Sequence, residues 1–211
     1  MRYVLVAVIV GLAAAFCAVG ARAGGARIVY VQPIGKPVTP AEVSAVCATL
    51  ESHFGVEVRT LPPVAMPRSA FARARHRYRA EILVSYLSSL LPPDGECIIG
   101  LTADDISTTK GAIRDWGVIG LASTRNGVCV VSAARCRAGA NAATSRERLG
   151  KVAIHEIGHT LSLGHCVSVA CVMRDAKGSV RSVDSERDFC GRCRGFLENR
   201  EHLFSQRIDR R

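Results

Sequence analysis

Three histidines and a glutamate lie close together late in the sequence, at spacings suited to metal chemistry. The run His155-Glu156-Ile-Gly-His159 falls within residues 146–161, whose pattern predicts a long helix. Residues four apart on a helix differ by about 40° in projection, so both imidazoles can occupy adjacent corners of one zinc tetrahedron. Glu156 can reach an attacking water without binding the metal, which is typical of metal-assisted hydrolysis.

A third histidine, His165, follows His159 by six residues. On a continuous helix His165 would lie about 240° round from His159, away from the metal face. A third imidazole ligand therefore requires the helix to end and the chain to turn back near residues 162–164. Gly164 adopts positive φ at little cost, so it is suited to that reversal.

Four cysteines follow the histidines in two close pairs: Cys166 and Cys171, then Cys190 and Cys193. The Cys-x4-Cys and Cys-x2-Cys pairs, eighteen residues apart, predict a four-thiolate zinc site. The alternative is two disulfides in an oxidising compartment. The metal site is favoured because a Cys-x2-Cys pair forms redox bridges more readily than structural ones.

The preceding residues predict the elements that position these groups. Thr39 and Pro40 open a helix that Gly55 closes, and a second helix covers residues 80–91. The Asn126-Gly127 pair suits a tight hairpin between the last two strands. The predicted strands cover residues 27–33, 56–61, 97–102, 116–122 and 128–132. We expect an α/β (α+β) fold: a twisted mixed sheet of about five strands flanked by helices, with an active-site helix and a small C-terminal region around the four-cysteine zinc.

Two further features have a structural and a functional interpretation. Residues 64–79 are rich in Arg, but Phe71 and Tyr78 are too sparse to form a stacking platform for nucleic acid. A solvated loop and a first helical turn are favoured there, and we expect no nucleic-acid partner. Asp104 and Asp105 follow a predicted strand, where such pairs cap a turn more often than they bind metal or act in acid–base chemistry.

The amino terminus predicts a targeting segment. Residues 3–21 carry no charge and are followed by Ala21-Arg22-Ala23, the pattern of a secretory signal peptide cleaved after Ala23. The domain would then comprise residues 24–211, in a secreted, lumenal or periplasmic protein without stable membrane association. The alternative is a membrane anchor formed by residues 3–21.

The composition fits one globular domain with a sizeable core. The 211 residues are 48% apolar and 22% charged, which excludes a disordered tail, a collagen and a multi-span membrane protein. The net charge of +10 comes mainly from Arg, and 24 Arg against 4 Lys is typical of codon bias. Outside the signal and the zinc site, four cysteines are equally compatible with disulfides and with buried thiols: Cys47, Cys97, Cys129 and Cys136.

The histidine and cysteine motifs together resemble those of the archaemetzincins, a metzincin-clan family of zinc metallopeptidases. The resemblance rests on His155-Glu-Ile-Gly-His-Thr-Leu-Ser-Leu-Gly-His165-Cys166, Cys171-Val-Met173 and Cys190-Gly-Arg-Cys193, and covers nearly all of the mature chain. It implies a catalytic zinc on His155, His159 and His165, with Glu156 as general base. It also implies a second, structural zinc on Cys166, Cys171, Cys190 and Cys193, with Met173 in a turn beneath the catalytic metal. The substrate would be a peptide or protein, and we expect a monomer.

Three departures from that family affect these expectations. Ser162 stands where the family has Gly, at the point where the helix breaks, and a non-Gly residue in a left-handed conformation costs roughly 1–2 kcal/mol. The interval between Met173 and Cys190 is one residue shorter than is common, and an export signal is unusual. The alternative function is therefore a non-catalytic zinc-binding protein whose histidine site is compromised by Ser162.

Overall fold

A computed structural model describes residues 27–124 and 126–208, with side chains in the last helix described as far as Asn199. The predicted signal peptide, residues 1–23, and the alternative anchor, residues 3–21, lie outside these described residues. Within the described ranges, no helix has the length and apolar character needed to cross a membrane.

The described chain alternates strands and helices before it becomes mainly helical. The strands are β1 (Ile28–Pro33), β2 (Glu57–Thr60), β3 (Phe71–Ala72), β4 (Arg77–Arg79), β5 (Cys97–Thr102), β6 (Ile106–Lys110), β7 (Ile113–Val118), β8 (Gly120–Ser123) and β9 (Val128–Ser132). The helices are α1 (Pro40–Phe54), α2 (Ala80–Ser88), α3 (Ala133–Cys136), α4 (Ala142–Thr160), α5 (Val180–Ser185) and α6 (Gly191–Ile208).

The main sheet confirms the predicted mixed sheet of five strands, in the order β2-β1-β5-β9-β8. Strands β2, β1, β5 and β9 run parallel, and β8 is antiparallel to β9 at one edge. The predicted hairpin joins β8 and β9, with Gly127 at φ +65° in its turn. Strands β5 and β9 are buried throughout, because helices cover both faces of the sheet.

A second sheet, in the order β3-β4-β6-β7, departs from the sequence-based expectation. The single strand expected over residues 116–122 is two strands in different sheets, because Val118 pairs with Ile106 whereas Gly120 pairs with Val131. The loop and helical turn expected over residues 64–79 contain β3, β4 and two short 3-10 turns. The polar composition of β6, Ile-Ser-Thr-Thr-Lys, gave no apolar period from which a strand is predicted.

Different helices cover the two faces of the main sheet. Helices α1 and α4 pack together over one face, where Leu50 and Ala153 join the same core as Ile99. Helix α2 covers the other face through Leu83 and Leu87. Helix α4 is thereby held against the sheet along its length.

The helix ends follow local hydrogen-bonding chemistry. The capping box predicted to open α1 is present, and Gly55 closes that helix at φ +59°. Helix α4 begins at Ala142, before the predicted residue 146, because the Asn141 side chain accepts a 2.9 Å hydrogen bond from the Thr144 N–H. Helix α2 ends at Ser88, three residues before its predicted end.

A half-buried ion pair joins α1 to the segment after α3. Arg137 Nε donates a 2.7 Å hydrogen bond to Glu42 Oε1, and the Thr39 N–H donates to Glu42 Oε2 at 2.7 Å. The Arg137 guanidinium, assisted by Thr39, lowers the pKa of Glu42 to about 2. Because the folded-state pKa is depressed, this ion pair stabilises the fold above pH 4.5, and the stabilisation is lost as the pH falls toward 2.

We expect Glu42→Gln to lower the free energy of unfolding by about 1–2 kcal/mol at pH 7, less than the full pKa shift implies, because the Arg137 side chain is 35% exposed and solvent screens the ion pair. The difference from the unmodified chain should shrink as the pH falls from 4.5 to 2. Urea unfolding at a series of pH values measures it. Glu51→Gln, at an exposed position on the same helix, is the control and should differ little; an equal loss in both variants would contradict the prediction.

Candidate metal centres and cleft

The three predicted histidines converge on one point. His155 and His159 lie one turn apart on α4, with their Nε2 atoms 3.0 Å from each other. His165 approaches from the following loop, and its ring centroid lies 5.5 Å from that of His155 and 4.8 Å from that of His159. One nitrogen from each ring falls within a 4.8 Å span. A tetrahedral zinc ion with Zn–N bonds of about 2.0–2.1 Å fits a donor set of this size.

Two backbone carbonyls orient the rings on α4. Nδ1 of His155 lies 2.6 Å from the Val172 carbonyl, and Nδ1 of His159 lies 2.7 Å from the Leu163 carbonyl. A carbonyl only accepts, so each Nδ1 carries the proton and each Nε2 keeps a lone pair for a metal. Burial lowers the pKa of His155 to about 4 and also lowers that of His159. Both rings are therefore neutral at pH 7.

The chain reverses within the predicted residues 162–164, at Ser162 and not at Gly164. Ser162 has φ +70°, whereas Gly164 is outside the left-handed region. The Ser162 N–H donates to the His159 carbonyl and the Leu163 N–H donates to the Gly158 carbonyl, both at 2.9 Å. These two bonds form a Schellman motif, which requires a left-handed residue directly after the helix cap. Gly164 comes two residues too late to fill that position.

A close contact beneath the histidines depends on Gly158. Met173 is fully buried, and a Cβ atom at position 158 would lie 2.6 Å from its Sδ atom. Glycine therefore lets the Met173 turn pack directly against α4. Since Val172 precedes Met173 and supplies the carbonyl that holds His155, this packing also positions the first imidazole.

Glu156 points into the cleft beside the histidines and is only 5% exposed. A Cβ atom at position 120 would lie 2.4 Å from its Oε1 atom, so Gly120 on β8 leaves the space that this carboxylate occupies. Burial raises the pKa of Glu156 to about 8. A divalent cation held by the neighbouring imidazoles would lower that pKa and restore the carboxylate.

The four predicted cysteines form a second cluster of metal-ligand size. The Sγ atoms of Cys166 and Cys190 are 3.7 Å apart, as are those of Cys171 and Cys193. Zn–S bonds of about 2.3 Å place the sulfurs of a zinc tetrahedron about 3.8 Å apart. The donor set therefore fits a zinc ion, and these separations exceed the disulfide bond length of about 2.05 Å.

The other residues singled out in the sequence lie away from both clusters. Asp104 accepts a 2.8 Å hydrogen bond from the Lys36 N–H, and Asp105 is paired with Arg77 and Arg135, so this pair has the structural role that was favoured. The remaining described cysteines are free thiols: Cys97, Cys129 and Cys136 are buried, and Cys47 is partly exposed.

A cleft of about 370 Å³ runs past the histidines along β8. Sequence reasoning found only four of its lining residues, the three histidines and Glu156. Val152 could have been found too, because it precedes His155 by three residues on the same helix. The others come from distant segments and carry no local signal; they include Gly120, Trp116, Asp175, Val183 and Glu186.

Comparisons with known proteins agree with this geometry. The model of peptidase family M54 matches residues 50–199. An archaemetzincin from Haloquadratum walsbyi is 32% identical over 180 residues, which cover 81% of this chain and 99% of that protein. The crystal structure of archaemetzincin from Archaeoglobus fulgidus, complexed with malonate, matches with a TM-score of 0.68 and 31% identity over 80% of this chain and 99% of that one. The archaemetzincin structure from Methanopyrus kandleri matches with a TM-score of 0.72 and 27% identity, covering 83% of this chain and 96% of that one.

The helix end makes Ser162→Gly a stabilising substitution. Glycine removes the cost of a left-handed non-Gly residue, so we expect a gain of about 1 kcal/mol in the free energy of unfolding and a rise in Tm of about 2–4 °C. Calorimetry of the metal-loaded protein measures the shift. Ser162→Ala is the control, since it keeps the strain and should give no gain. A rise in Tm with Ala equal to that with Gly would contradict the backbone explanation.

Proposed function

The chain belongs to peptidase family M54, and from this premise we propose how its residues divide the work of peptide hydrolysis. As an archaemetzincin it is a zinc-dependent peptidase that acts on peptide substrates. We propose that His155, His159 and His165 hold the catalytic zinc and that Glu156 is the general base. One observation supports this most strongly: two imidazole lone pairs and one buried carboxylate converge in an open cleft.

The chemistry requires a metal, and the surrounding residues prepare its site. Zinc bound to three neutral imidazoles would keep its full charge, polarise the scissile carbonyl and lower the pKa of the attacking water to about 7. Glu156 accepts the proton of that water and transfers it to the leaving amine. The buried position of Glu156, with Gly120 behind it, keeps the carboxylate in one place for both transfers.

Strand β8 provides a surface for the substrate backbone. It is the last strand of the main sheet, and three of its residues line the cleft beside the histidines. Among the described residues, no strand pairs with the outer edge of β8. An extended peptide can add to such an edge through backbone hydrogen bonds, which would carry the scissile bond past Glu156.

A second, structural zinc on Cys166, Cys171, Cys190 and Cys193 is the other part of the proposal. These residues hold the loop after His165 to the start of α6. The rival function is a zinc-binding protein without activity, in which Ser162 weakens the histidine site. The hydrogen bonds at Ser162 favour the enzyme, because they close the helix in regular Schellman geometry and leave the His159 ring oriented.

Glu156→Ala should reduce peptide hydrolysis by at least a factor of about 10² while zinc content stays at two per chain, because Glu156 moves a proton and does not bind metal. A peptide-library digest and metal analysis of the purified protein measure the two quantities. Gly120→Ala is the companion variant: it keeps the carboxylate, displaces it, and should also slow hydrolysis. Undiminished hydrolysis in Glu156→Ala, or a single tightly bound zinc in the unmodified protein, would refute the assignment.

The amino-terminal segment would direct export of the protein. We propose that residues 1–23 are removed after Ala23 and that the mature protein acts as a secreted or periplasmic monomer without a nucleic-acid partner, with an anchor formed by residues 3–21 as the alternative. Amino-terminal sequencing of the protein expressed with its full leader should give Gly24 as the first residue. A mature chain that still begins at Met1 and sediments with membranes would support the anchor.

A further inference from the structure

Glu186 is a buried acid that the proposed chemistry does not use. It lines the cleft, it is 3% exposed, and its Oε1 atom is buried with no hydrogen-bond partner among the described residues. Leaving a buried carboxylate oxygen unpaired is costly, because the group loses its hydration and gains nothing in return. Such a group in the wall of a cleft is a candidate for binding a partner from outside the chain.

The position of Glu186 places it beside the catalytic helix. Its N–H donates to the Val183 carbonyl at 3.2 Å, and Lys151 Nζ, from α4, lies 3.4 Å from the same carbonyl. The next residue on α4, Val152, lines the cleft together with Val183. This end of the cleft therefore has two valines and one carboxylate in its wall, and Val152 lies one helical turn from His155.

The cations of the protein do not neutralise Glu186. Lys151 and Arg174 lie near enough to lower its pKa, but burial is the larger effect and raises that pKa to about 7. Lys151 instead forms a 2.7 Å ion pair with Glu147 on the same helix. Asp175, the third acid of the cleft beside Glu156 and Glu186, differs, because it lies 3.9 Å from Lys110 and accepts the Lys177 N–H at 2.8 Å.

We propose that Glu186 is a specificity-determining residue, the acidic floor of a subsite that binds a lysine or arginine side chain next to the scissile bond. A lysine or arginine stem would pack against Val152 and Val183, and its charged end would pair with the carboxylate. An apolar substrate side chain would leave that carboxylate unpaired, which is the condition under which a site rejects analogues most strongly. This inference rests on the proposed peptidase function.

The test uses pairs of fluorogenic peptides that differ only in lysine against norleucine, placed on either side of the cleaved bond. The unmodified protein should cleave the lysine peptide with a kcat/KM about tenfold higher or more at one of the two positions. Glu186→Gln, which keeps shape and removes the charge, should bring that ratio close to one. Glu186→Lys should reverse the preference toward a peptide with glutamate at that position. Asp175→Asn is the comparator and should keep the lysine preference.

The outcomes separate this inference from the function on which it rests. A ratio near one in the unmodified protein, or an unchanged lysine preference in Glu186→Gln, would overturn the subsite. If only Asp175→Asn lost the lysine preference, Asp175 and not Glu186 would be the acid that binds the substrate, which would also overturn the proposed subsite.

If a variant does not fold or no peptide is cleaved, measurements of peptide binding test whether the subsite exists. Calorimetric titration of the zinc-loaded Glu156→Ala protein with the same peptides should show about tenfold tighter binding of the lysine peptide. Equal binding of the two would overturn the subsite, whereas absence of hydrolysis in the unmodified protein overturns the proposed function alone.

Discussion

The site depends on the hydrogen bonds that the imidazoles of α4 make with the backbone. Each Nδ1 atom of His155 and His159 donates to a carbonyl that belongs to a loop after the helix. These bonds select the tautomer and the ring angle, so the Nε2 lone pairs face a common point before any metal binds. The rest of the fold holds α4 and those two loops in fixed positions relative to each other.

Three close contacts fix the position of α4 and its neighbours, and each of them occurs at a glycine. Gly150 lets α4 approach α1, since a Cβ atom there would lie 2.8 Å from Thr49 Oγ1. Gly158 admits the Met173 turn, and Gly120 admits the Glu156 carboxylate. The helix is thus fitted closely to its neighbours at its middle and at its end. The imidazole rings are therefore positioned by packing along the whole of α4.

Much of the fold and the ligand clusters could be predicted from the sequence, because their signals are local. The periodicity of apolar residues predicted the strands and helices of the main sheet. The spacing of the histidines and cysteines predicted the two clusters, in each of which the candidate ligand atoms lie within 4.8 Å of one another. The second sheet escaped because β6 is polar and β7 runs into β8 with only Ile119 between them. The reversal lies within the predicted residues 162–164, but composition did not decide which residue makes it: Gly164 was suited to it, whereas the hydrogen-bond pattern of the helix end requires the left-handed residue at Ser162. Glu186 could not be found at all, since only tertiary packing brings it to the cleft.

Two buried carboxylates in one cleft share a physical condition that links catalysis to selectivity. Burial raises the pKa of Glu156 to about 8 and that of Glu186 to about 7, and at Glu186 it outweighs the opposite effect of Lys151 and Arg174. In our proposals a cation from outside the chain restores each charge: a metal on the adjacent histidines for Glu156, and a basic side chain of the substrate for Glu186. The same desolvation that destabilises each acid strengthens its interaction with that cation. On these proposals both acids carry their full charge only when metal and substrate are present, so the burial of each acid contributes to the recognition of its cation.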